Sequence, residues 1–249
     1  MIREERRKKK RRKKILTGFL VILFLLALLV LTVVKVFTVE QVKVDGNKLY
    51  ADEDIKEWVL NDEYSWNSLY VYLKYKFFDT KEVPFIDTME VTLESPHTLH
   101  VEVYEKGLLG YLYQDSIAQN VYFDKDGIVV EISSDIIEGV PQITGLSCKE
   151  AALYEKLNLK NENTLKTLLS VTQTLKKYGL VPNTIDCTSQ SDIILTYDKV
   201  TVMLGDTDTL TEKVVRLEKI MPSIEGMSGI LHMEKWTPDT TDITFEKTE

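Results

Sequence analysis

Two cysteines and three histidines in 249 residues leave little from which to build a reactive or metal-holding centre. Cys148 and Cys187 are too few for a disulfide framework, so the chain is not a small cross-linked scaffold. One bridge or two free thiols are the alternatives, and free thiols are the expectation. His97 and His100 flank the start of one alternating run, where a spacing of three sends side chains to opposite faces, so no shared metal is expected. No HExxH, CxxC, Walker loop, GxSxG or GxGxxG occurs, which removes the common signatures of zinc hydrolases, thiol redox proteins, nucleotide binders and serine hydrolases. Asp124-Lys125-Asp126-Gly127 opens like a calcium loop but lacks the third acidic position and a matching distal Glu, so a hairpin turn accounts for it better. Carboxylates are numerous enough for chance pairs, and none is singled out. No catalytic residue, cofactor or metal ligand is expected.

Charge is missing altogether from Ile15 to Val34, a run of 20 residues interrupted only by Thr17, Gly18 and Thr32. At about 1.5 Å of rise per residue it spans about 30 Å, the thickness of a hydrocarbon layer. The first 14 residues carry ten Lys or Arg against Glu4 and Glu5, a net +8; the whole chain carries −8, so the remainder carries −16. Only Lys35 follows closely on the far side, and this bias places the amino terminus in the cytoplasm. A cleavable signal peptide would have a shorter apolar core and small residues at its cleavage site, and Val33-Val34-Lys35-Val36 offers none. The expectation is an uncleaved anchor, Ile15 to Val34, behind a basic cytoplasmic tail, 1–14. Such a tract can also bind nucleic acid, but beside a span it orients the helix and attracts anionic lipid. The acidic remainder repels nucleic acid, and no such partner is expected.

Beyond the anchor the chain is ordinary globular material, with 44% hydrophobic and 28% charged residues over its length. Phe37–Val44 reads as a strand, and Asp45-Gly46-Asn47 as a turn. Asp52, Glu53 and Asp54 open a helix with Ile55, Trp58 and Val59 on its apolar face. A second helix follows Asn67, with Leu69, Tyr72, Leu73 and Phe77 at helical spacing and assigned to packing on a sheet. Met89, Val91 and Leu93, then Leu99, Val101 and Val103, alternate with polar residues as an antiparallel hairpin. The order β-α-α-β-β ends near Lys106, giving a first domain over 35–106.

A second domain, 107–249, opens with strands around Leu108–Tyr113 and Val121–Phe123, the latter turning through Asp126-Gly127 into Ile128–Ile132. Asn163–Tyr178 is a helix stopped by Gly179 and Pro182. Ile193, Leu195 and Tyr197 form a strand that turns through Asp198-Lys199 into Val200, Val202 and Leu204. Thr209-Leu210-Thr211-Glu212 reads as a capping box for a helix that buries Leu210, Val214, Leu217 and Met221 and ends at Pro222. Final strands are expected at Ile230–Met233 and Asp242–Lys247. The fold class is α+β: a single transmembrane helix, a small β-α-α-β-β domain and a larger mixed sheet with flanking helices.

The succession resembles the FtsQ/DivIB family of bacterial cell-division proteins. Phe37 with Val42-Lys43-Val44-Asp45-Gly46-Asn47 is similar to the first strand and turn of that family's POTRA domain. Pro96-His97-Thr98-Leu99-His100-Val101-Glu102-Val103-Tyr104-Glu105-Lys106 is similar to its last strand and exit. Tyr122-Phe123-Asp124-Lys125-Asp126-Gly127-Ile128 and Val140-Pro141-Gln142-Ile143-Thr144-Gly145-Leu146 resemble the opening of its β domain. Leu204-Gly205, Lys213, Leu217 and Gly229-Ile230-Leu231 resemble its later half. The resemblance implies a non-catalytic divisome scaffold in the cell membrane, enriched at the septum. It would bind FtsL-like and DivIC/FtsB-like single-pass proteins and, through them, act on the septal peptidoglycan synthase, with no small-molecule substrate. It further implies that the last strand receives a partner segment: Ile243, Thr244, Phe245, Glu246 and Lys247, with Trp236 walling the groove. Thr244 is expected to supply a ladder donor there. A POTRA-bearing transport or secretion adaptor and a membrane-anchored cell-wall enzyme are the alternatives.

Overall fold

The computed structural model describes residues 2–78, 80–159, 162–189, 192–239 and 243–248, and side chains from residue 12 onward. Helix α1, Ile2–Val36, contains the charge-free run and is the one helix among the described residues long and apolar enough to cross a membrane. The chain divides into two compact units, Met1–Glu105 and Lys106–Glu249.

In the first unit, β1 (Gln41–Asp45), α2 (Asp52–Val59), α3 (Ser68–Phe77), β2 (Ile86–Ser95) and β3 (Thr98–Glu105) follow in the order read from the sequence. The sheet order is β1-β3-β2, with β1 parallel and β2 antiparallel to β3. The alternation in the hairpin sets its register: Met89, Val91 and Leu93 face Val103, Val101 and Leu99. Together with Ile55 and Val59 of α2 and Val71 of α3 these residues make the core.

The stripe chosen for α3 from its spacing is right at Tyr72 and wrong at Leu73 and Phe77. Ser68 and Val71 are buried, and Tyr72 and Tyr75 pack beside them, whereas Leu73 and Phe77 face outward. The outward stripe is as apolar as the inward one, so spacing alone could not choose between them. The side chain of Asn67 decides the start of the helix by accepting the Tyr70 N–H at 2.9 Å.

The second unit is a nine-stranded mixed sheet in the order β12-β11-β10-β9-β8-β7-β4-β5-β6. Its strands are β4 (Gly110–Gln114), β5 (Gln119–Phe123), β6 (Val129–Ser133), β7 (Gln142–Thr144), β8 (Thr184–Asp186), β9 (Ile193–Tyr197), β10 (Val200–Gly205), β11 (Gly229–His232) and β12 (Thr244–Lys247). Helix α4 (Glu162–Lys177) connects the parallel pair β7 and β8, and α5 (Leu210–Ile224) the parallel pair β10 and β11. Parallel neighbours need such crossovers. Leu165, Leu168, Val171 and Leu175 of α4 join Val214 and Leu217 of α5 in one core with the buried residues of the sheet.

Helix α4 ends as its glycine predicts. Gly179 takes φ 68°, its N–H reaches Lys176 O, and the Leu180 N–H reaches Leu175 O, the paired bonds of a Schellman turn. Helix α5 departs from expectation at both ends. Thr209 lies in the left-handed region at φ 53° with no side-chain cap, so the capping box is not formed. The first turn of α5 is instead tied to the end of β10 by Lys213, 2% exposed, whose ammonium donates to Leu204 O, Asp206 O and the Asp206 carboxylate at 2.8–3.1 Å. Pro222 does not end the helix either. It removes one internal N–H, but the last turn continues and buries Ile224.

Candidate partner-binding edge

Strand β12 closes one end of the nine-stranded sheet, and among the described residues no strand lies on its outer side. It runs antiparallel to β11 with Thr244, Phe245, Glu246 and Lys247 opposite His232, Leu231, Ile230 and Gly229. The expected alternation is present: Ile243 and Phe245 pack against the core, while Thr244, Glu246 and Lys247 are exposed. Asp242, named as the start of this strand, and Thr240 and Thr241 before it lie outside the described residues. Trp236 is half-buried, in the turn that follows β11, where its N–H donates to Met233 O at 3.0 Å. That turn lies beyond His232, the residue opposite Thr244.

Which main-chain groups are open follows from the phase of the ladder. Gly229 and Met233 send their N–H groups toward the β10 side, to Lys199 O at 3.1 Å and Met203 O at 3.0 Å. Thr248 N–H donates to Ser228 O at 2.9 Å, one step beyond the Gly229–Lys247 pair. Antiparallel pairs alternate, so Ile230 with Glu246 and His232 with Thr244 are the bonded pairs. Thr244 and Glu246 therefore turn their main chain to β11, and Phe245 and Lys247 turn theirs to the open side. The expectation that Thr244 supplies the outward donor is corrected by this phase.

Side chains at the same end add acceptors. His232 lies between two carboxylates, with Nδ1 3.2 Å from Glu234 Oε1 and Nε2 3.6 Å from Glu246 Oε2. Burial works to raise the Glu234 pKa, but its own N–H and the His232 ring outweigh it and hold the carboxyl below its usual range. Glu234 Oε2 is enclosed and has no hydrogen-bond partner among the described residues. No sequence pattern marked Glu234; its position one residue past a buried Met233 was the available signal.

Gly229 gives β12 its seat. A Cβ there would run into the Glu246 carbonyl and the Phe245 ring.

The other candidate chemistries are dispersed. His97 Nδ1 lies 3.1 Å from Thr38 O, and His100 Nε2 lies 2.8 Å from Asp45 Oδ2. Among the described residues no three His, Cys, Asp or Glu side chains gather as a metal site. Cys148 and Cys187 are free, and burial pushes the Cys187 thiol up to about 12, far from a reactive thiolate. The Asp124 carboxylate accepts the N–H groups of Asp126 and Ile128, both at 2.9 Å, so it holds its own turn.

No protein-family profile matches this chain, and no curated protein matches it either.

Proposed function

We propose that the chain is a membrane-anchored, non-catalytic scaffold of the FtsQ/DivIB kind, working by contact at the division septum. Its basic tail, 1–14, faces the cytoplasm, and the chain beyond α1 lies on the other side of the membrane. The unit containing β1 to β3 acts as a POTRA-like domain. The larger sheet adds a strand from an FtsL-like or DivIC/FtsB-like partner along β12, and through that pair influences the septal peptidoglycan synthase. One observation carries this reading: among the described residues, no strand lies beside the outward main-chain groups of Phe245 and Lys247. Each hydrogen bond to an added strand contributes about 1 kcal/mol net, and side chains along the edge supply selectivity.

Pull-down of the coiled-coil pair by the full chain tests it. Lys247→Pro removes an outward donor at an exposed edge position that tolerates proline. It should weaken capture by about fivefold or more per bond lost while leaving the fold intact. Deletion of 242–249 should abolish capture. Thr244→Pro should instead loosen β12 from β11. Wild-type capture by both Lys247→Pro and the deletion removes the edge assignment. Uniform rather than septal fluorescence of a tagged copy removes the division role.

A further inference from the structure

The first unit carries an aromatic surface that its core does not use. Tyr70, Leu73 and Phe77 share the outer face of α3 and are 37%, 39% and 66% exposed; Phe78, just beyond, is 70% exposed. Trp66, in the turn before α3, is 47% exposed. Single exposed apolar side chains are ordinary, but an entire helix face with its entry turn is a contact surface.

What covers it follows from where the chain ties this surface down. Asn67 Nδ2 donates to Val33 O at 3.0 Å, inside the last turn of α1. Val39 N–H donates to Trp66 O at 2.9 Å and Ser68 N–H to Phe37 O at 3.2 Å. The turn carrying Trp66 is thus bonded to the end of the apolar helix and to the three residues that follow it. Val33 is only about 5 Å of helix rise short of Val36, a distance comparable to one head-group layer. At the end of α1, Val34 and Val36 are 40% and 39% exposed. Tryptophan and tyrosine rings suit this zone, where one side is apolar and the other wet. Asp62 fixes the turn by accepting from Tyr70 Oη at 3.1 Å and Lys74 Nζ at 2.8 Å, so the aromatic face is held rather than loose.

We propose that Trp66 and the outer face of α3 seat the first unit on the head-group layer of the bilayer. The partner is a lipid surface. The seat makes the anchor and the first unit one body at the membrane, and it rests on the reading of α1 as a membrane span.

The test uses the full chain in lipid nanodiscs. Trp58 and Trp236 are replaced by Phe to leave Trp66 as the sole tryptophan; a second variant also carries Trp66→Phe and Phe77→Trp. Positions 66 and 77 are exposed, and Phe at 58 keeps an aromatic ring against Tyr50; an unfolding curve for each variant in the discs confirms the fold first. Phospholipid brominated near the head-group end of its chains should quench both reporters, and both should be shielded from acrylamide. A chain that enters the discs yet leaves the reporter at 77 unquenched by bromolipid and open to acrylamide overturns the seat and leaves the anchor intact. Protection at 77 that appears only in native membranes, and not in pure lipid, assigns the face to a protein and overturns the lipid seat. Failure to enter the discs at all overturns the anchor and this inference with it.

Discussion

Helices α3 and α4 each bury one stripe against a sheet, but their outer faces differ in kind. Exposed positions on α4, such as Lys166, Ser170, Gln173 and Lys177, are all polar. Those on α3 include Tyr70, Leu73 and Phe77. On α4 the apolar side chains are confined to the face the core uses. On α3 they exceed it, and the turn that leads into that surplus is bonded to the end of α1. An amphipathic period identifies a core face only when the opposite face is polar.

The sharpest way to break this comparison is to cut both faces. Leu168→Ala, at a fully buried position of α4, should cost about 3 kcal/mol, read as the shift in urea unfolding in detergent. Leu73→Ala on the outer face of α3 should cost less than about 0.5 kcal/mol in the same assay. Equal losses would mean that the outer face of α3 is core after all.

Lys213→Met comes next. It strips two main-chain carbonyls of their donor in a buried setting and should cost about 2 kcal/mol, with faster hydrogen exchange at the start of α5. Wild-type exchange there would show that the lysine does not organise that helix start.

A smaller loss than that of Lys213→Met is set by pH. Burial would raise the Asp62 pKa, but hydrogen bonds from Lys74, Ser65, the Tyr64 N–H and Tyr70 outweigh it and lower the carboxyl to about 2. A carboxyl lowered on folding stabilises the fold above its unfolded pKa, so this contribution is present above about pH 4 and is lost as pH falls toward about 2. Asp62→Asn should cost on the order of 1 kcal/mol at neutral pH, a figure reduced for solvent screening, and the cost should fade as pH falls through about 2. A cost that does not change with pH would put the Asp62 contribution down to shape and not charge.

Most long elements were legible because their periods were strong: the hairpin of β2 and β3, α4, and the β9–β10 pair around Asp198-Lys199. Strands β7 and β8 were not read, since each has three residues and one buried side chain, Ile143 or Ile185, too few to show a period. The false capping box had the right residue types at the right spacing, but Thr209 takes a left-handed backbone from which its side chain makes no cap. For the candidate edge, the strand and its alternation could be read from Ile243 to Lys247. The direction of its main-chain groups could not, because that depends on pairing with a distant segment, Gly229–His232.

Gly229 gives the closing strand an unusual vulnerability. Because the Phe245 ring and the Glu246 carbonyl occupy the space a side chain would need, one added methyl group acts as a wedge. Alanine at this position should prise off the terminal strand alone, exposing β11 as the new border and leaving the remaining eight strands in place. The docking ledge could then be detached without dismantling the sheet that bears it.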